Sequence, residues 1–110
     1  MVIEKADKED IMQFQQTQQQ LQMLLMQKQN MQIQSSEIVA SLNELSTMKD
    51  DSAFEVVGNI LVKKSKDELN KRLKEKEELL NLRVSSIDKQ LEKLTDKAKK
   101  LQEKLAKSIR

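Results

Sequence analysis

The chain has no cysteine, histidine, proline, tryptophan or tyrosine, and its 110 residues include two phenylalanines and one glycine. Each absence excludes something. Without Cys and His, the usual ligands of zinc, iron and copper are missing, as are the thiol nucleophile and the side chain that most often moves protons near neutral pH. There is no Gly-rich loop to cradle a phosphate. The adjacent acids Asp50-Asp51 and Glu77-Glu78 point in different directions on or beside a helix and imply no pocket. These readings argue against an enzyme and against any cofactor or metal. No apolar run approaches the ~20 residues of a membrane span, and the start "MVIEKADKED" lacks the basic-then-apolar plan of a signal peptide. A soluble, cytoplasmic protein with no membrane partner is expected, and the lack of Cys suits a reducing compartment.

With 35% charged residues and so few aromatics, the composition is poor material for a compact core but good material for long helices. From Leu73 onward, Leu73, Leu80, Val84, Ile87, Leu91, Leu94, Ala98, Leu101 and Leu105 fall on alternating steps of three and four, skipping Glu77. That is an a/d heptad seam. Ser65-Lys66-Asp67-Glu68 fits the S-x-x-E capping box and starts this helix at about residue 66. In the first half, placing Phe14 at an a position puts Leu21, Leu24, Met31, Ile38, Leu42 and Leu45 on a second seam, with Thr17, Lys28 and Ser35 as polar exceptions. Eleven glutamines between Gln13 and Gln34 surround it without disturbing the helical spacing, and Gln is an acceptable helix former. Met12, Met23, Met26, Met31 and Met48 read either as seam packing or as an adaptable binding surface.

Residues 1–52 carry four lysines against eight acids, and residues 66–110 fourteen basic against nine acidic side chains. The halves are complementary in sign, which favours their lying together. Acids interleaved among the lysines of the second helix, and the lack of stacking aromatics, argue against nucleic acid as a partner.

Between the helices, "AFEVVGNILVKK" (53–64) changes period to that of strands, with Gly58-Asn59 placed as a two-residue hairpin turn. That turn pairs Val57 with Ile60, Val56 with Leu61, Glu55 with Val62 and Phe54 with Lys63. One face then shows Val57, Ile60 and Val62, the other Phe54, Val56 and Leu61. Either the segment packs back onto the helices, or several hairpins from different subunits join into a sheet or barrel. Two apolar faces and two open edges favour the second, because a hairpin this short is marginal alone. The expected fold is therefore mostly α, a long antiparallel two-helix coiled coil with one central β-hairpin that joins an intersubunit β-barrel. It forms one domain over 1–110, with helices at about 4–50 and 66–108 and the hairpin at 53–64.

The segment Ala53–Leu69, "AFEVVGNILVKKSKDEL", followed by "LLNLRVSSIDKQLEKL" (79–94) and preceded by the Gln-rich 13–34, resembles the β-type subunits of prefoldin, the archaeal ones above all. Phe54, Gly58, Leu61, Val62 and Lys63 match that family's hairpin pattern, with Phe54 where Tyr is commoner. The resemblance implies a subunit of a heterohexamer, two α-type and four β-type chains, whose hairpins build a double β-barrel bearing six coiled-coil tentacles. It also implies an ATP-independent chaperone that holds unfolded proteins at the tentacle tips and passes them to a group II chaperonin. A connection of 13 residues has room for one hairpin, as in the β type, where the α type has two.

Antiparallel helices of matched length bring the chain ends together. Val2, Ile3, Ile11, Met12, Phe14, Leu105 and Ile109 are therefore the expected client-binding residues, although Phe14 and Leu105 also fit the seam. Phe54, Val56, Val57, Gly58, Ile60, Leu61 and Val62 are the expected oligomer interface. The competing reading is a structural coiled-coil scaffold or tether, which accounts for the heptads and leaves the two-faced hairpin unexplained.

Overall fold

The computed structural model describes the backbone of residues 5–108 and the side chains of residues 7–108. In chain order it comprises α1 (Lys5–Thr47), β1 (Ser52–Val57), β2 (Ile60–Ser65) and α2 (Lys66–Ser108). Two compact units are distinguished, Met1–Asn30 with Ser85–Arg110, and Met31–Val84, so each helix enters both.

In the first unit the α1 and α2 segments run antiparallel. Two ion pairs set the alignment: Lys28 Nζ to Asp88 Oδ1 at 2.7 Å, and Lys104 Nζ to Asp10 Oδ2 at 3.1 Å. Between these pairs, Phe14, Thr17, Leu21 and Leu24 on α1, and Leu91, Leu94, Ala98 and Leu101 on α2, are buried or half-buried while intervening positions are exposed. The three-four spacing of the sequence is thus the burial pattern of the structure. The polar seam positions are settled locally. Thr17, only 1% exposed, donates its hydroxyl to the Gln13 carbonyl at 2.8 Å, so its own helix satisfies the group that burial cuts off from water. Lys28 lies half-buried and reaches across to Asp88.

In the second unit Met31, Ser35, Ile38, Leu42, Leu45 and Met48 continue the spacing on the α1 side, and Leu69, Leu73, Glu77, Leu80 and Val84 on the α2 side. Ile38, Leu45, Leu69 and Leu80 are its buried apolar side chains, each worth about 1.5–3 kcal/mol by removal from water. α1 ends at Thr47, three residues before the expected boundary. No glycine or basic side chain caps it. The hydroxyls of Ser46 and Thr47 instead bond back to the carbonyls of Asn43 and Glu44, and Met48 N donates to Leu45 O at 3.3 Å, so side chains and a tightened final turn take up the orphan carbonyls.

One residue then ties the corner. Lys66, the first of α2, donates its backbone N–H to Asp51 O at 2.7 Å and its ammonium to Met48 O at 2.9 Å. Glu68 N donates to Ser65 Oγ at 3.2 Å, which forms the N-cap half of the capping box.

Candidate functional site

The strands pair antiparallel in the register Val57 with Ile60, Val56 with Leu61, Glu55 with Val62 and Phe54 with Lys63. This is the pairing expected from a turn at Gly58-Asn59. Gly58 has φ +59°, and no other described residue has positive φ. Only the first turn residue being left-handed is the pattern of a II′ hairpin turn, which requires glycine at that position.

Both faces leave apolar side chains exposed near the turn, and they differ at the root. On one face Ala53, Glu55, Val62 and Lys64 are half-buried at the root, while Val57 and Ile60 near the turn stay exposed. On the other, Phe54, Val56 and Leu61 are bare; Val56 is 71% exposed. The first face is also not purely apolar. The Glu55 carboxylate takes Lys64 Nζ at 3.0 Å from the neighbouring strand and Arg72 Nη1 at 2.9 Å from α2. This bridge fastens the hairpin to the helix, and the sequence reading missed it because the partners lie on three elements. The hydrogen bond from Lys64 holds the Glu55 carboxyl below its ordinary value, with the charges of Arg72, Lys64 and Lys76 adding to it and partial desolvation opposing it.

Beside the bridge, β1 and the two helices enclose a groove of about 820 Å³, with Leu45, Leu69 and Leu73 among its lining and Phe54 and Val56 along its β1 side.

In the Met1–Asn30, Ser85–Arg110 unit, Ile11, Phe14 and Leu105 are half-buried and Met12 is exposed; Val2, Ile3 and Ile109 lie outside the described residues. Phe14 and Leu105 occupy seam positions. Met12 therefore offers the most open apolar side chain of the described tip candidates, and it has company that the tip reading did not include. Met23, Leu25 and Met26 are also exposed, Met26 at 65%, whereas Met31 and Met48 are half-buried seam residues. The signal was present in the numbering: from the Phe14 register, Met12, Met23 and Met26 take outward positions. Between Ile11 and Asn30 the one charged residue is Lys28. Asp10 was also missed. It continues the seam one step before Phe14, is 8% exposed, and its Oδ2 accepts no hydrogen bond among the described residues, with Lys104 standing beside it off the bonding direction. On α2, Lys93, Lys97, Lys100 and Lys104 line one shallow groove with Asp96. Part of the charge mixing seen in the linear sequence thus resolves into a lysine edge once the helix is wound.

Comparison with known proteins bears on the whole of this arrangement. A family profile described as "Prefoldin subunit" matches residues 8–110. The chain belongs to the prefoldin subunit family. Among curated relatives, the prefoldin subunit beta of Methanosarcina acetivorans is 41% identical over 100 residues, covering 90% of this chain and 86% of the relative. That of Pyrococcus horikoshii is 36% identical over 94 residues, covering 84% and 80%. The crystal structure of the prefoldin beta subunit from Thermococcus strain KS-1 superposes with a TM-score of 0.87 at 33% identity, covering 99% of this chain and 96% of that one. The resemblance to β-type prefoldin read from the hairpin motif is borne out, and with it the two long helices joined by a single hairpin. Prefoldin is a chaperone family, and this chain is a prefoldin chaperone subunit. Among the described residues, no helix is long and apolar enough to cross a membrane.

Proposed function

We propose that this chain is the holding subunit of a cytoplasmic prefoldin complex that captures unfolded polypeptide without ATP and hands it to a group II chaperonin. In this reading residues 1–110 act as one prefoldin domain. The hairpin, through Phe54, Val56, Val57, Gly58, Ile60, Leu61 and Val62, joins those of other subunits in a barrel, two α-type and four β-type chains in all. Capture falls to the chain ends, to Val2, Ile3, Ile11, Met12, Phe14, Leu105 and Ile109.

The observation that supports capture is the exposure of Met12, Met23, Leu25 and Met26 on a stretch of α1 whose one charge, Lys28, is engaged by Asp88. Unbranched thioether side chains adapt to many shapes, and an uncharged surround penalises no particular client sequence. Several such weak surfaces in one assembly gain by avidity. The test is suppression of aggregation of a chemically denatured client. Deleting residues 1–12, or replacing Met23 and Met26 together by Gln, leaves the number of subunits in the assembly unchanged and raises the chaperone concentration needed for half suppression. Unchanged suppression by both variants overturns the capture surface.

A further inference from the structure

The bare face of the hairpin continues onto the helices. Phe54 and Val56 also wall the groove lined by Leu45, Leu69 and Leu73, and Leu79 stands at its α2 edge. Leu79 is 49% exposed, and Leu82, one turn further along the same flank, is 69% exposed. They sit in "LKEKEELLNLR" (73–83), a stretch whose outward positions are otherwise charged or polar and which has no use within the chain for exposed leucines.

We infer that this groove, with Leu79 and Leu82, is a socket for the hairpin tip of a neighbouring prefoldin subunit. The inference rests on the reading of the hairpin as the assembly element and extends that interface onto α2. Three observations identify the occupant. The tip, Val57 to Leu61, is a run of five residues without a charge whose Val57 and Ile60 are exposed, so it matches an apolar floor. The socket volume of about 820 Å³ is that of a cleft able to enclose a compact apolar group (roughly 300–1,000 Å³). The sheet has two strands, so the outer edge of β1 can accept an incoming strand beside the socket. Plug and socket lie at different places on one chain, so each subunit gives one and receives one. Contacts of that heterologous kind close into a ring where the rotation between subunits closes, and otherwise run on as a filament.

The test uses the full chain assembled with an α-type prefoldin subunit, with native mass as readout. Four forms are compared: wild type, Leu61→Lys on the hairpin, Leu79→Lys at the socket, and Leu25→Lys on an exposed site of α1 as the control for added charge. The three substituted positions are solvent-exposed in the subunit, and circular dichroism checks that helicity is kept. The expected result is that Leu61→Lys and Leu79→Lys each raise the concentration for half assembly at least about tenfold, the scale of one buried leucine, while Leu25→Lys matches wild type. Loss with Leu61→Lys but none with Leu79→Lys overturns the socket and leaves the hairpin interface standing. Assembly by both variants overturns both. A photo-crosslinking amino acid at position 79 then identifies the occupant: crosslinks to the hairpin tip of a neighbouring subunit support the inference, and crosslinks confined to helices refute it.

Discussion

Replacing Asp10 by leucine should stabilise the α1 end of its unit, and the expected size follows from the surroundings of that one carboxylate. Asp10 occupies a seam position at 8% exposure with an oxygen that takes no hydrogen bond among the described residues. A leucine buried to the same degree gains about 1.5–3 kcal/mol by removal from water. Against this stands loss of the ion pair with Lys104, whose side chain is 65% exposed and returns to solvent; pairs so exposed contribute about 0.2–1 kcal/mol. The net is about 1–2 kcal/mol in favour of the variant, or a factor of about 5–30 in the local opening equilibrium. Amide hydrogen exchange over residues 8–17 measures it: protection should rise by that factor in Asp10→Leu and change little in Asp10→Ala, which removes the charge without adding packing. Equal or lower protection in Asp10→Leu would refute the reasoning and make the carboxylate an organising contact of the seam.

Three further outcomes are expected. Ile87→Ala, at a buried seam position, should cost about 2–5 kcal/mol by lost transfer energy and residual cavity, read as a lower urea midpoint at unchanged slope. Gly58→Ala should loosen the hairpin by about 1–2 kcal/mol through the backbone alone, since a Cβ there meets nothing within 4 Å and the cost comes from φ +59°; faster exchange of hairpin amides, partly restored in Gly58→Asn, is the measurement. The Glu55 bridge should make hairpin protection pH-dependent. Its carboxyl is held below the ordinary value by Lys64, so its contribution is present above the usual carboxylate range and disappears as pH falls through the lowered value. The difference in hairpin exchange between wild type and Glu55→Gln should therefore be open at neutral pH and close in acid; a constant difference counts against the bridge.

Much of this architecture was legible because it is periodic or local. The three-four spacing from Phe14 to Leu45 and from Leu73 to Leu105 is a one-dimensional signal, and burial follows it even through Thr17, Lys28 and Glu77, where the residue type argues otherwise. The hairpin register follows from one glycine, because fixing a two-residue turn fixes every pair behind it. What escaped is what depends on meetings between elements. Nothing in a linear reading brings Glu55, Lys64 and Arg72 together, or shows Lys66 bonding to Met48. The unequal hairpin faces escaped for the same reason, since Ala53 and Val62 are half-covered on the face where Glu55 meets Arg72 while Val56 on the other face stays bare. The methionines were ambiguous by type and become plain by position: Met31 and Met48 fill the seam, while Met12, Met23 and Met26 stand outside it.

The ion pair Lys28–Asp88 has a consequence for how the outward side of α1 responds to its medium. Between Ile11 and Asn30 Lys28 carries the one side-chain charge, and Asp88 holds it at 2.7 Å, so the nearby Met23 and Met26 face solvent on a stretch of α1 whose single charge is paired. Contacts made there are neither steered at low ionic strength nor screened at high. A chain loaded onto this side should stay bound across a salt gradient that strips charged contacts from the lysine edge of α2.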